Sequence, residues 1–301
     1  MRFLRFIGTL FAASVIIFLL MRAVPGNPAR VALGVNATDE AVEKLTHSMG
    51  LDRPLLVQYL EWMKGLLTGN FGISLSSQQD ITPLVLDRAQ VTLLLIGLAI
   101  ALALAGAIPM GILLARFRLP VLNAATQLGI AVPSFLVGIV LVAVFSVHLG
   151  WLPANGWQLP REGLSHLVLP VISLALVQGA MLTRYVRATL IEEMGKDYIR
   201  TARSLGESRT EALIRHGLRN AALPVLTVTG VQLSTLVVGA VVIENVFVIP
   251  GLGSMLLDAV SSRDLITVQT LIMVFVTFTL TVNLLTDLAY RVIDPRLKEA
   301  R

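Results

Sequence analysis

The chain has 301 residues, of which 55% are hydrophobic and only 14% charged, and a net charge of +5. Mean hydropathy is +0.78. Soluble domains carry about 25% charged residues, so this chain is short of solvating surface. A basic nucleic-acid-binding protein would need a basic face on a soluble fold, with stacking aromatics or a groove-reading motif; the sequence offers neither. It holds no cysteine, which excludes disulfides, thiolate zinc sites and cysteine nucleophiles.

A membrane-spanning helix needs about 20 mostly apolar residues. Six stretches qualify, so the expected fold class is an all-α polytopic membrane protein, one transmembrane domain over residues 1–301. The first runs from about Phe6 to Val24. Arg2 and Arg5 give it the start of a signal peptide, but its apolar core reaches Met21 and no A-x-A-like cleavage site follows. A cleaved signal has an apolar core of about 7–15 residues, so a retained span is expected.

A long loop, residues 25–90, comes next. Thr38 can cap a helix with Asp39 and Glu40 in its first turn and Gly50 at its end. A second helix can start near Pro54 with Leu56, Tyr59, Leu60, Met63 and Leu67 on one face, lying on the membrane surface or on the protein's own outer face. The second span covers about Val91 to Ala115. Ala99, Ala103, Ala107 and Gly111 form a small-residue stripe along it, of the kind that lets helices approach closely in lipid.

The third span runs from Leu122 to His148 and the fourth from Leu164 to Thr183. Pro109, Pro133 and Pro170 fall inside spans two, three and four, where neighbouring helices can satisfy the freed backbone groups. The fifth, Leu223 to Ile243, repeats the small-residue spacing at Gly230 and Ser234. The sixth covers Val268 to Leu288.

With the N-terminus inside, the inner segments hold sixteen basic residues and the outer ones eight. The inner set includes Arg116, Arg118, Arg184, Arg187, Arg291, Arg296, Lys298 and Arg301. The outer set includes Arg22, Arg30, Lys44, Arg53, Lys64, Arg88, Arg161 and Arg263. The positive-inside rule then puts both termini in the cytoplasm.

Between spans four and five lies an arginine-rich stretch, residues 189–222, carrying Arg200, Arg203, Arg209, Arg215 and Arg219. Its pattern predicts one helix from about Glu192 to Leu205, a left-handed break at Gly206, and a second helix from Ser208 or Thr210 that leads to Pro224 and the fifth span. Three roles fit such a helix–Gly–helix hairpin: contact with anionic lipid, a purely structural hairpin, or a docking surface for a soluble partner whose rim the arginines complement.

The stretch resembles the EAA loop of binding-protein-dependent ABC importer permeases. Thr201-Ala202-Arg203 stand in the E-A-A place, Gly206 follows, and Leu223-Pro224 close the motif; Thr201 and Arg203 depart from the ideal triplet. Pro25-Gly26-Asn27-Pro28-Ala29, Gly50-Leu51-Asp52-Arg53-Pro54, Gly69-Asn70-Phe71-Gly72-Ile73-Ser74 and the segment "VVIENVFVIPGLG", residues 241–253, are similar to further motifs of its dipeptide, oligopeptide and nickel branch. Asn27 and Asn70 stand where that branch usually has Asp.

The resemblance implies a permease subunit in a bacterial inner membrane, importing a peptide-like solute or metal chelate. Its implied partners are a second permease, a related but different chain, two ATP-binding subunits and an external solute-binding protein. The hairpin tip, Thr201, Ala202, Arg203, Ser204, Leu205, Gly206 and Glu207, would dock on the ATP-binding subunit. ATP and Mg would belong to that subunit, and no cofactor to this chain, which has no G-x-x-x-x-G-K-[ST] loop.

Polar span residues are costly in lipid. Gln178, Thr229, Gln232, Ser234, Glu244 and Asn245 are the pathway candidates, with Thr227 and Asn283 also noted. Interhelical hydrogen bonding is the competing role for each, and snorkelling or a helix-end role for Glu244 and Asp287. Enzyme motifs such as H-E-x-x-H and G-x-S-x-G are missing, and His47, His148, His166 and His216 have no metal-ligand spacing. The alternative is an ion-gradient-driven secondary transporter, which calls for inverted repeats and intramembrane acids.

Overall fold

The structure is a computed structural model that describes residues 2–34, 37–157 and 163–293. Arg161, Arg296, Lys298 and Arg301, counted in the topology, lie outside the described residues. About 81% of the described residues are helical. Among the described residues there is no strand, only an isolated antiparallel bridge between Ile73 and Asp80.

The helices are α1 (Arg2–Ala23), α2 (Pro28–Leu33), α3 (Asp39–Ser48), α4 (Leu55–Thr68), α5 (Thr82–Arg116), α6 (Pro120–Ala131) and α7 (Ser134–Leu141), which continues as a π-helical turn to His148. They go on with α8 (Gly163–Met194), α9 (Asp197–Ser204), α10 (Arg209–Ala212), a π-helical turn Leu213–Gly217, α11 (Leu218–Val246), α12 (Leu252–Ser261) and α13 (Leu265–Ile293). Among the described residues, five stretches are long and apolar enough to cross a membrane, carried by α1, α5, α8, the run Arg209–Val246 and α13.

The expected third span is different. It consists of α6 and α7 with its π-turn, bent by 105° at the break between them. Pro133 disfavours helical backbone in the residue before it, and Val132 takes an extended conformation (φ −88°, ψ 125°). Helix resumes from Pro133, whose carbonyl accepts from Leu136 and Val137. Pro109, Pro170 and Pro224 stay inside continuous helices.

The chain forms two compact units: residues 1–92 with 250–281, and residues 93–249 with 282–301. In the first unit, Asn27 caps α2 by accepting from the backbone N–H of Ala29 and Arg30, with Pro28 opening the helix. Thr38 caps α3 through Ala41 N–H. Asn70 accepts from Gly72 N–H at 3.0 Å. Asn27 at a helix cap and Asn70 in a turn thus each perform a local task that needs an acceptor, not a charge.

Helix α4 corrects the predicted apolar face. Leu56, Leu60 and Leu67 are exposed, and the packed side is Gln58, Tyr59 and Trp62. Tyr59 OH pairs with Ser14 Oγ at 2.8 Å, and Phe18 of α1 packs edge-on to the Tyr59 ring. Gln58 accepts from Arg22 Nε at 3.0 Å and donates to the carbonyls of Leu51 and Arg53. α4 therefore lies along α1, held by the satisfied polar ends of Tyr59 and Gln58 and by ring contacts of Tyr59 and Trp62 with Phe18.

In the second unit, α8 packs against α6, α7 and α11. The alanine stripe of α5 is buried at Ala99, Ala103 and Ala107. A Cβ on Gly111 would come 2.5 Å from Val186, and one on Gly230 of α11 would come 2.4 Å from Thr286 of α13. Glycine is what permits these approaches.

Candidate functional site

The hairpin is built from short local rules. α8 runs past the expected fourth span to Met194, so the first hairpin helix is only α9, and the chain turns at Gly195-Lys196. Glu193, nearly buried, takes hydrogen bonds from Lys196 Nζ and Tyr198 OH, tying the end of α8 to the start of α9. The hydrogen bond to Glu193 holds the Lys196 ammonium above its ordinary pKa, and burial followed by the same carboxylate raises the Tyr198 phenol. Sequence patterning missed this clamp, although Glu-x-x-Lys across a glycine was its visible signal.

α9 ends in a Schellman motif. Gly206 N–H bonds to the Arg203 carbonyl at 3.1 Å and Glu207 N–H to the Ala202 carbonyl at 3.2 Å, with Gly206 at φ 101°. This is the left-handed break expected at that position. No atom lies within 4 Å of where a Gly206 side chain would begin. Ser208 then caps the second arm by accepting from Glu211 N–H.

Beyond it, α10, the π-turn and α11 form one uninterrupted helical rod that contains the fifth span. In the turn, Leu218 N–H reaches back to the Leu213 carbonyl, an i to i+5 bond. The predicted opening of the span at Pro224 is therefore not a boundary.

The tip residues divide in two. Ala202 is 8% exposed and packs with Ile199 and Ala212, so its small side chain serves closure of the hairpin. Glu207 is turned back onto the second arm, 3.2 Å from His216 Nε2 and 3.6 Å from Arg215. Thr201, Arg203, Ser204 and Gly206 are exposed, and Leu205 is 83% exposed. Arg200 pairs with Asp197. Among the described residues, Arg203, Arg209 and Arg219 are in no ion pair. The tip thus presents an apolar knob between arginines that no carboxylate among the described residues pairs with.

The polar span residues occupy a different environment. Gln232 is buried; it donates to Met181 Sδ of α8 and accepts from Thr235 at 3.1 Å. Thr229 is buried and bonds to the Val225 carbonyl of its own helix, as Thr227 does to Leu223 and Ser234 to Gly230. Glu244 is fully enclosed, not snorkelling, whereas Asn245 is exposed and Gln178 half-buried. Gln232 thus serves the α8–α11 contact.

After Glu244 the chain makes a second Schellman turn. Ile249 N–H bonds to the Glu244 carbonyl at 2.8 Å, and the left-handed residue is Val248 at φ 52°. A β-branched residue there is strained. Phe247 just before it is buried against Gly138, and its carbonyl accepts from Gly156 N–H.

Residues 107–299 match the family model described as binding-protein-dependent transport system inner membrane component, and residues 1–96 match the model for the N-terminal part of such membrane components. The chain is 34% identical over 300 residues to a probable peptide ABC transporter permease protein of Sinorhizobium fredii, covering 97% of this chain and 96% of the relative. It is 36% identical over 304 residues to a glutathione transport system permease protein of Escherichia coli K12, covering 99% and 97%. The ion-gradient alternative falls with these matches. The chain belongs to the family of inner-membrane components of binding-protein-dependent transport systems: it is a multi-pass permease subunit of an ABC importer, and ATP hydrolysis is carried by separate subunits.

Proposed function

We propose that the hairpin of residues 189–222 is the handle by which an ATP-binding subunit moves this permease, and that the solute is peptide-like, in the class that includes glutathione. The exposed Leu205 knob, flanked by Arg203 and the open face of Gly206, carries the first part. A side chain so exposed at the tip of a two-helix turn, with unpaired arginines on either side, has the form of an anchor for a pocket on a partner surface. The names of the two relatives support the second. Nickel chelates rest on the branch resemblance alone, and neither of these two relatives is named for them.

Motion would pass to the spans through two rigid attachments. The Glu193–Lys196–Tyr198 clamp joins α9 to α8, and the unbroken rod joins the second arm to the fifth span. Closure of two ATP-binding subunits, each holding bound ATP and Mg, would then bias a two-state pathway formed with a second, related permease. Both termini and the hairpin lie on the cytoplasmic side in this arrangement, and the solute-binding protein docks on the other. Gln178, Ser234 and Asn245 are the pathway candidates that remain accessible in this chain.

The test is solute-stimulated ATPase activity and uptake in the reconstituted transporter. Gly206→Val imposes backbone strain as well as bulk, so Leu205→Asp is the companion variant that leaves the turn intact. Both are expected to insert in the membrane and to lose uptake. Normal uptake by Leu205→Asp would overturn the docking role.

A further inference from the structure

Two adjoining cavities in the second unit are left without a role by the coupling hairpin. The first is an almost wholly apolar slot of about 560 Å³ between α5, α6 and α8, lined by Gly106, Met110, Ala125, Val137, Leu176 and Ala180 among others. The second, of about 540 Å³, is lined by Asn123, Thr126, Gln127, Ile130, Arg184 and Arg187. Thr126 borders both, so the polar pocket adjoins the slot.

The chemistry of the two spaces is complementary to one amphiphile. Arg184 and Arg187 stand at i and i+3 on α8 and so share a face. Arg187 Nε donates to the Leu114 carbonyl at 3.3 Å, which fixes the side chain while its terminal nitrogens stay available. Among the described residues neither guanidinium is in an ion pair. The pocket therefore has two positive charges and amide and hydroxyl groups for an anion, with no carboxylate of its own. The slot's polar side chains are Thr126 and Thr183, whose hydroxyls already donate to the backbone carbonyls of Asn123 and Gly179, so it offers little to the polar backbone of a peptide and suits hydrocarbon.

We propose that this pair of cavities holds an anionic phospholipid, its acyl chain in the slot and its phosphate on Arg184 and Arg187, in the leaflet that borders the hairpin. Basic pockets between spans recognise anionic headgroups in this way. The site sits on α8, the helix that ends in the Glu193 clamp, so an occupied pocket braces the same helix the hairpin pulls on. The proposal stands apart from the docking role of Leu205 and does not need it.

The probe is fluorescent phosphatidylglycerol against fluorescent phosphatidylcholine, bound to the assembled transporter in mild detergent after delipidation. The wild-type complex is expected to prefer the anionic lipid by about tenfold or more. Arg184→Gln with Arg187→Gln should remove the preference. Gly106→Leu should weaken both lipids, because Gly106 lines the slot and a Cβ added there meets no atom within 4 Å, which leaves the longer side chain room to occupy the slot.

Three results would overturn the proposal: equal binding of the two lipids by the wild type; glycerol phosphate competing as well as the whole lipid, which marks a simple anion pocket; or displacement of the probe by the transported solute, which marks a pathway. Failure of Leu205→Asp to affect uptake leaves the lipid result untouched, so the two readings fail separately.

Discussion

Ser74 and Asp264 stand 190 residues apart in the chain, and the serine hydroxyl donates to the aspartate at 2.5 Å. Asp264 is buried just ahead of α13. It also accepts from Leu75 N–H, Thr267 N–H and Thr267 Oγ1, while Thr270 Oγ1 donates to the Phe71 carbonyl. The motif Gly69–Ser74, singled out in the sequence as a signature, is thus pinned to the start of the last span. One carboxylate caps a helix and anchors a loop at once.

Replacing Asp264 with Ala should strand several buried donors, at about 1–3 kcal/mol for an unsatisfied buried group. The expected outcome is a lower apparent melting temperature of the purified protein in detergent, with Asp264→Asn intermediate because its amide oxygen can still accept. A wild-type melting curve for Asp264→Ala would remove the anchoring role.

Leu205 is expected to behave as an interface anchor. Such residues cost about 2 kcal/mol or more when lost, roughly thirtyfold in affinity. Titrating the ATP-binding subunit onto the permease should show that weakening for Leu205→Asp and little for Thr201→Ala. Equal affinity of wild type and Leu205→Asp would show that the knob is not gripped.

The Glu193–Lys196 contact has a defined pH signature. Because the folded lysine is raised above 10.5, its contribution is fully present below that value and is lost only as pH climbs through the raised one. Hydrogen exchange in α9 should therefore be flat between about pH 6 and 9 in the wild type once the intrinsic rate is removed. Lys196→Met should exchange faster across that whole window; exchange matching the wild type would show that the clamp does not hold the hinge.

Val248 and Gly206 occupy equivalent turn positions with opposite chemistry. A left-handed residue with a side chain costs about 1–2 kcal/mol, offset in part by the entropy glycine loses. Val248→Gly should be neutral to stabilising by up to about 1 kcal/mol, measured by thermal inactivation. A lower inactivation temperature would show that contacts of the valine outweigh its backbone strain.

Gly230 permits the approach of α11 to α13. Gly230→Ala should cost about 1–3 kcal/mol by overpacking. Thr286→Ala in the same chain should recover part of the loss, since it deletes the two nearest atoms and leaves Cβ at 3.0 Å. Strict additivity of the two changes would place the strain elsewhere.

Much of the protein is decided by local sequence. Spans follow from unbroken apolar length, because lipid satisfies no backbone group and each helix must close its own hydrogen bonds. Caps at Thr38, Gly50 and Gly206 follow from side-chain acceptors and positive φ, which depend on a few neighbouring residues.

What the tertiary structure alone decided has one common cause: it depends on what stands opposite. Val132 breaks before Pro133 while three other prolines stay helical, α4 buries Gln58 and Tyr59 in place of its leucines, and Gln232 faces Met181. Ala202 turns inward while Leu205 turns out, and Asp264 finds Ser74. The partners of Gln58, Gln232 and Asp264, namely Arg22, Met181 and Ser74, lie 36, 51 and 190 residues away, beyond the reach of any local rule, and a buried polar group must take whatever partner the fold brings to it.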